Sequence, residues 1–177
     1  MSTEGGSLVP TPLPSPSRRA APISFSEAVF TDLRFFEASF RGDANFREAT
    51  FKGESLFAQA MFHAEVSLIK ATFEGPANLT GVTFNRGVNA NEVTFQDWVG
   101  FNASTFKWSS FGHATFKHQA SFADATFVGE VSFSSTTFEN MAEFRQATFK
   151  NHVGFHSTQA VVAAYESGLV VPGFPSR

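Results

Sequence analysis

The chain has 177 residues, a net charge of −3, 16% charged residues, no Cys, and 24 Phe against two Trp and one Tyr. Lack of Cys excludes disulfide frameworks, Cys-based zinc sites and thiol nucleophiles, and no apolar run approaches the ~20 residues that a membrane helix needs. A charge so close to neutral predicts neither a nucleic-acid binder nor a polyacidic tail. The length suits one domain, and the start shows no charged stretch followed by an apolar one, so a cytoplasmic protein without a secretory signal is expected.

Residues 1–22 hold Pro10, Pro12, Pro14, Pro16 and Pro22 among Ser, Gly and Thr. That composition cannot bury a core, so a disordered tail is expected, with a tether as the alternative role. From residue 23 to 158 the Phe residues recur at steps of five and six, as in Phe40, Phe46, Phe51, Phe57 and Phe62. The underlying period over most of this stretch is therefore eleven, and a small or β-branched residue such as Ala38, Ala44, Ala49 or Val66 stands two places before nearly every repeat position.

Geometry separates the architectures able to carry this period. An α-helix would place the intervening Phe about 140° round the cylinder, giving two apolar stripes in a sequence rich in Thr, Ser and Gly, which are poor helix interiors. A flat strand fails because a step of five reverses the face and a step of six keeps it. A chain that bends once per unit can point every Phe inward, and four bends close a coil. The expected fold is an all-β solenoid of square section, with about six coils of about 22 residues stacked ~4.8 Å apart.

Every fourth unit then shares a face. One column is Phe30, Phe51, Phe73, Phe95, Phe116 and Phe138, and the opposite one Phe40, Phe62, Phe84, Phe106, Phe127 and Phe149. The other two contain the exceptions Leu68, Leu79 and Ala90. Ala90 lacks a ring, so a small cavity or an inward shift is expected beside it. In the six-residue steps the second residue after the column position is Gly42, Gly53, Ala64, Gly75, Arg86, Asp97, His118, Gly129, Asn140 or Asn151. Most are types that tolerate positive φ, so left-handed bulges are expected there, with one tighter corner near Lys107–Ser110.

Units such as Ala44-Asn45-Phe46-Arg47-Glu48, Ala77-Asn78-Leu79-Thr80-Gly81 and Ala120-Ser121-Phe122-Ala123-Asp124 resemble the pentapeptide-repeat family, with its Ala-Asp/Asn-Leu/Phe-x-x consensus. The resemblance runs from about Ser24 to Phe155 and is of the Phe-rich subtype, although the regular five–six alternation departs from an uninterrupted five-residue step. It implies a right-handed quadrilateral β-helix with the small residue and the Phe of each unit inside. Beyond Phe155 the pattern dissolves, and residues 159–177 are expected to form a cap, as a short helix or strand, over an end that would otherwise expose strand edges. A homodimer contact through this C-terminal end is the alternative.

Chemistry-bearing patterns are sparse. His113, His118, His152 and His156 suggest metal ligands, but the four-residue gap between His152 and His156 aligns ligands on a helix and not on a bent strand path, so surface or corner histidines are expected. No catalytic residues, metal or cofactor are expected. Outward Thr residues, among them Thr50, Thr72, Thr94, Thr115 and Thr137, form a ladder, which fits stacked strands without an ice-binding role because charges such as Lys52 and Glu74 interrupt it.

Residues that the core does not need point to a partner surface: Trp98 and Trp108, expected on opposite sides, and Asp124, Glu130, Glu139 and Glu143, acids in a stretch without a base. The favoured reading is a non-catalytic protein-interaction or assembly scaffold with a protein partner, no direct nucleic acid and no membrane. Resistance proteins of the family resemble duplex DNA in shape and charge, and their likeness implies the alternative of a DNA mimic that binds a type II topoisomerase, DNA gyrase, and modulates inhibitor sensitivity. The modest charge here weakens that alternative.

Overall fold

A computed structural model describes residues 20–164. Among them the chain forms short strands, most of two residues, that wind as a parallel β-solenoid of about six turns. Face 1 stacks Ile23–Ser24, Ala44–Asn45, Glu65–Ser67, Gly87–Asn89, Ser109–Ser110, Val131–Ser132 and Val153–Gly154. Face 2 runs from Val29–Phe30 through Thr72–Phe73 to Thr137, face 3 from Leu33–Arg34 through Ala77–Asn78 to Glu143, and face 4 from Ser39–Phe40 to Thr148–Phe149. The strand Thr137–Glu143 continues round one corner and joins faces 2 and 3 into one sheet. Register partners lie one coil apart, as in Ala44↔Val66, Thr83↔Thr105 and Val88↔Ser109.

The unit length follows from what each residue does. Two residues make the strand, and the second of these points inward on faces 2 and 4, where Phe51, Phe73, Phe106 and Phe127 are fully buried. On faces 1 and 3 the inward ring comes immediately after the strand, at Phe46, Phe57, Phe101 and Phe111. The small residue two places earlier, such as Ala44 or Ala77, is buried beside it and leaves space for the ring. Rings one coil apart stack face to face along the axis: Phe51 on Phe73 with centroids 4.2 Å apart, and Phe106 on Phe127 at 4.8 Å. Across the interior, faces 1 and 3 meet edge to face, as in Phe111–Phe122 at 5.8 Å and 80°. Phe36, which has no place in a column, is 52% exposed.

The left-handed residues are not where the sequence suggested. They are Glu27, Glu37, Glu48, Gln59, Lys70, Gly81, Glu92, Ala103, His113, Asp124, Ser135, Gln146 and Ser157, each two places after an inward residue of face 1 or 3 and within a five-residue step. There the carbonyl of the inward residue accepts the N–H three residues on, for example Phe46 O from Ala49 N at 3.1 Å. Such a tight turn, with positive φ at its third residue, has the form of a type II turn. A six-residue step has one residue more in its corner and needs no such backbone.

Glycine at the six-residue corners answers a different demand. A Cβ on Gly53 would lie 1.9 Å from the carbonyl oxygen of Thr31, and one on Gly129 1.7 Å from that of Lys107. Both glycines face a short corner, Thr31–Asp32 or Lys107–Trp108, where two residues do the work of the three found one coil later. The tighter corner expected near Lys107 is thus present, and the next coil closes on it through Gly129.

Ala90 is fully buried, and a void of about 10 Å³ lies among Leu68, Leu79, Phe57 and Phe84, with Leu68 one coil before Ala90 on face 1. Two leucines at one level replace two rings, and branched aliphatic chains leave the gap. Buried hydroxyls replace the small apolar residue in three turns: Ser104 donates to Leu79 O, Thr136 to Phe111 O and Thr158 to Phe133 O, each at 2.6 Å. The strand Gln159–Ala164 pairs along Thr137–Glu143 and so covers the last coil on faces 2 and 3. Of the tail expected over residues 1–22, residues 1–19 lie outside the described residues, as does the part of the expected cap from 165 on.

Candidate functional site

Outward residues one coil apart assemble a site on face 1. Strand residues Asn45, Ser67 and Asn89 lie one above another and form a small polar floor. Their size is set by the turns that follow: Asn45 Oδ1 accepts the N–H of Arg47 at 3.0 Å, and Asn89 Oδ1 that of Asn91 at 3.1 Å. These bonds hold each amide carbonyl toward the backbone, and the Asn45 NH₂ donates to Ser24 Oγ at 3.4 Å one coil below. The corner between faces 4 and 1 rises beside the floor as a wall carrying Asp43, Glu65, Arg86 and Trp108 on successive coils.

Floor and wall enclose an open groove of about 570 Å³, with Ile69 on the far rim. That volume lies within the range of ligand clefts, roughly 300–1,000 Å³. Trp108 closes one end. Its indole lies over Gly87, where a Cβ would stand 2.7 Å from Cε3, so only glycine admits the ring. Trp108 remains 43% exposed. The Asp43 carboxylate accepts the N–H of Glu65 at 3.1 Å, which ties the wall of one coil to the next.

The residues singled out from sequence are spread over the solenoid. Trp98 stands at the corner between faces 2 and 3, diagonally opposite Trp108, as its spacing implied. Asp124 occupies the left-handed turn between faces 3 and 4, Glu130 the corner between faces 4 and 1, one coil beyond Trp108, and Glu139 the corner between faces 2 and 3. Glu143 lies on face 3, where Ser121 Oγ donates to Oε2 at 3.0 Å and Arg145 pairs with Oε1 at 3.1 Å. Only Trp108 and Glu130 are brought together, and the four acids form no single patch. No group of three or more His, Asp or Glu placed to hold a metal occurs among the described residues. The Thr ladder is in register, Thr50, Thr72, Thr94, Thr115 and Thr137 being successive partners.

Asp43, Glu65 and Arg86 went unnoticed in the sequence because each is an ordinary surface charge. The coil register, read for outward positions as it was for Phe, lines up Asp43, Glu65, Gly87 and Trp108, with Arg86 one residue before that line.

The family model for pentapeptide repeats (9 copies) matches three overlapping stretches, residues 25–72, 68–115 and 111–159. Curated proteins give no match. Among solved structures the chain is similar to HetL, a pentapeptide repeat protein involved in heterocyst differentiation regulation from a Nostoc cyanobacterium. The alignment has 11% identity and a TM-score of 0.29, and covers 88% of this chain and 94% of HetL.

Proposed function

This chain belongs to the pentapeptide-repeat family, and from that premise we propose that it is a non-catalytic scaffold that docks a protein partner on face 1. The observation that carries the reading is the groove itself, a cleft of about 570 Å³ walled by charges and closed by an exposed Trp. Aromatic anchors at the end of a preformed cleft are typical binding hot spots. The stacked ring columns add rigidity, so little ordering entropy is lost when a partner binds. A continuous acidic face, which a DNA mimic would need, has no support in the scattered positions of Asp124, Glu130, Glu139 and Glu143.

The test is affinity capture from the source cells with the full chain, Trp108→Ala, and Trp98→Ala as a control on the opposite corner. The reading expects one set of proteins retained by the full chain and Trp98→Ala and lost by Trp108→Ala. Equal capture by all three, or none by any, would overturn it.

A further inference from the structure

The wall of the groove carries an ordered charge pattern. Asp43 and Glu65 are followed by Arg86 and then Trp108, one per coil, along about 14 Å of the axis at ~4.8 Å per coil. Elsewhere opposite charges one coil apart close on each other: Lys70 and Glu92 to 3.7 Å, Arg34 and Glu54 to 3.8 Å. Glu65 and Arg86 are also one coil apart, with Glu65 paired in register to Gly87, yet they form no ion pair with each other. Both head groups are exposed and border the groove.

We propose that the groove binds an extended peptide segment of a partner whose sequence reads basic, x, acidic, x, apolar. This rests on the scaffold reading above and names the partner's chemistry. The spacing follows from two rises. From a point midway between Asp43 and Glu65 to Arg86 is one and a half coils, roughly 7 Å, and two residues of extended chain span about 6.6 Å. Residues i and i+2 of an extended chain face the same way, so a basic side chain reaches the two carboxylates while an acidic one reaches Arg86. Two residues further, an apolar side chain meets the indole of Trp108 and is flanked by glycine. The intervening residues point away from the groove, and their identity is free. The floor supplies the Asn89 amide and the Ser67 hydroxyl to the peptide backbone.

The test uses the full chain with Trp98→Phe, which leaves Trp108 as the fluorophore, and two capped peptides of equal composition. One orders its residues Lys, Ala, Asp, Ala, Leu, and the other Asp, Ala, Lys, Ala, Leu. The second places the base between the acid and the apolar residue whichever way it lies. Two exposed ion pairs exchanged for two like-charge contacts correspond to a preference of about tenfold for the first peptide, lost at high salt. Glu65→Arg combined with Arg86→Glu should invert the preference; should that pair disturb the fold by circular dichroism, Arg86→Gln should instead bring the two peptides close together. Equal titration of both peptides by the parent, no change in Trp108 emission with either, or a preference that survives these substitutions would overturn the proposal. Loss of partner capture by Trp108→Ala alongside such a failure would leave the scaffold reading standing and this one refuted.

Discussion

Phe122 offers the sharpest test of the ring columns. It is fully buried and stacks between Phe101 at 5.0 Å and 10° and Phe144 at 4.9 Å and 3°. It also meets Phe111 and Phe133 edge to face at 5.8 and 5.5 Å. Truncation to Ala removes a ring from a site walled by other rings, which cannot collapse without breaking their own stacks, so the cost should reach the upper part of the usual range of about 3–5 kcal/mol. Phe122→Leu keeps much of the volume and loses the two parallel stacks, at about 0.5–1.5 kcal/mol each, or about 1–3 kcal/mol together. Phe36 is 52% exposed and outside every column, so Phe36→Ala should stay within about 0.5 kcal/mol of the parent. Urea unfolding followed by both Trp emission and far-ultraviolet circular dichroism measures these differences, with coincidence of the two probes checking two-state behaviour. If Phe122→Ala and Phe36→Ala shifted the midpoint equally, the assignment of stability to the interior columns would be wrong.

Two further pairs of substitutions probe the turns and the buried hydroxyls. Gly81 has a φ of 68°, and a Cβ there would meet nothing nearer than 3.6 Å, so Gly81→Ala should cost about 1 kcal/mol from backbone alone. Ala103, at φ 54° in the equivalent turn of face 3 one coil on, should give the reverse, with Ala103→Gly stabilising by about 0.5–1 kcal/mol in thermal or urea unfolding. Ser55 Oγ is buried without a hydrogen-bond partner, whereas Ser104 Oγ donates to Leu79 O and accepts from Val82 N. Calorimetry should therefore show Ser55→Ala raising stability by about 1 kcal/mol and Ser104→Ala lowering it by about the same amount.

The inward half of the fold was legible because it obeys one rule. A residue that must fill the axis of a coil has few acceptable identities, so Phe repeated at a coil's spacing announces both period and face. The turns were not legible by the same logic. Their left-handed positions hold mostly Glu, Gln, Lys, Ser and Ala, with Gly81, His113 and Asp124 the few of a type that favours positive φ, so composition conveys little backbone preference. Gly42, Gly53 and Gly129 misled for a related reason: glycine serves both positive φ and close backbone approach, and only the stacked structure distinguishes them. The void beside Leu68 and Leu79 also depends on two faces meeting at one level, which a column-by-column reading misses. As for the site, Trp108 was visible as an aromatic without a core role. Its groove was not, because the floor is made by the smallness of Ser67, Asn89 and Gly87 rather than by any reactive group.

The groove on face 1 exists because residues one coil apart lie side by side on an outward face. The absence of Cys allows a clean measurement of that stacking. Thr105 and Thr126 are register partners on face 4, at a separation of about 4.8 Å that a disulfide can span. The doubly substituted Thr105→Cys, Thr126→Cys chain should form an intramolecular disulfide on mild oxidation, seen as a two-proton mass loss, with the two introduced thiols joined in one cross-linked peptide pair after digestion. Thr105→Cys with Thr115→Cys, much closer in sequence but on opposite faces, should remain as free thiols in the monomer. Cross-linking of the second pair in preference to the first would contradict the solenoid register on which the account rests.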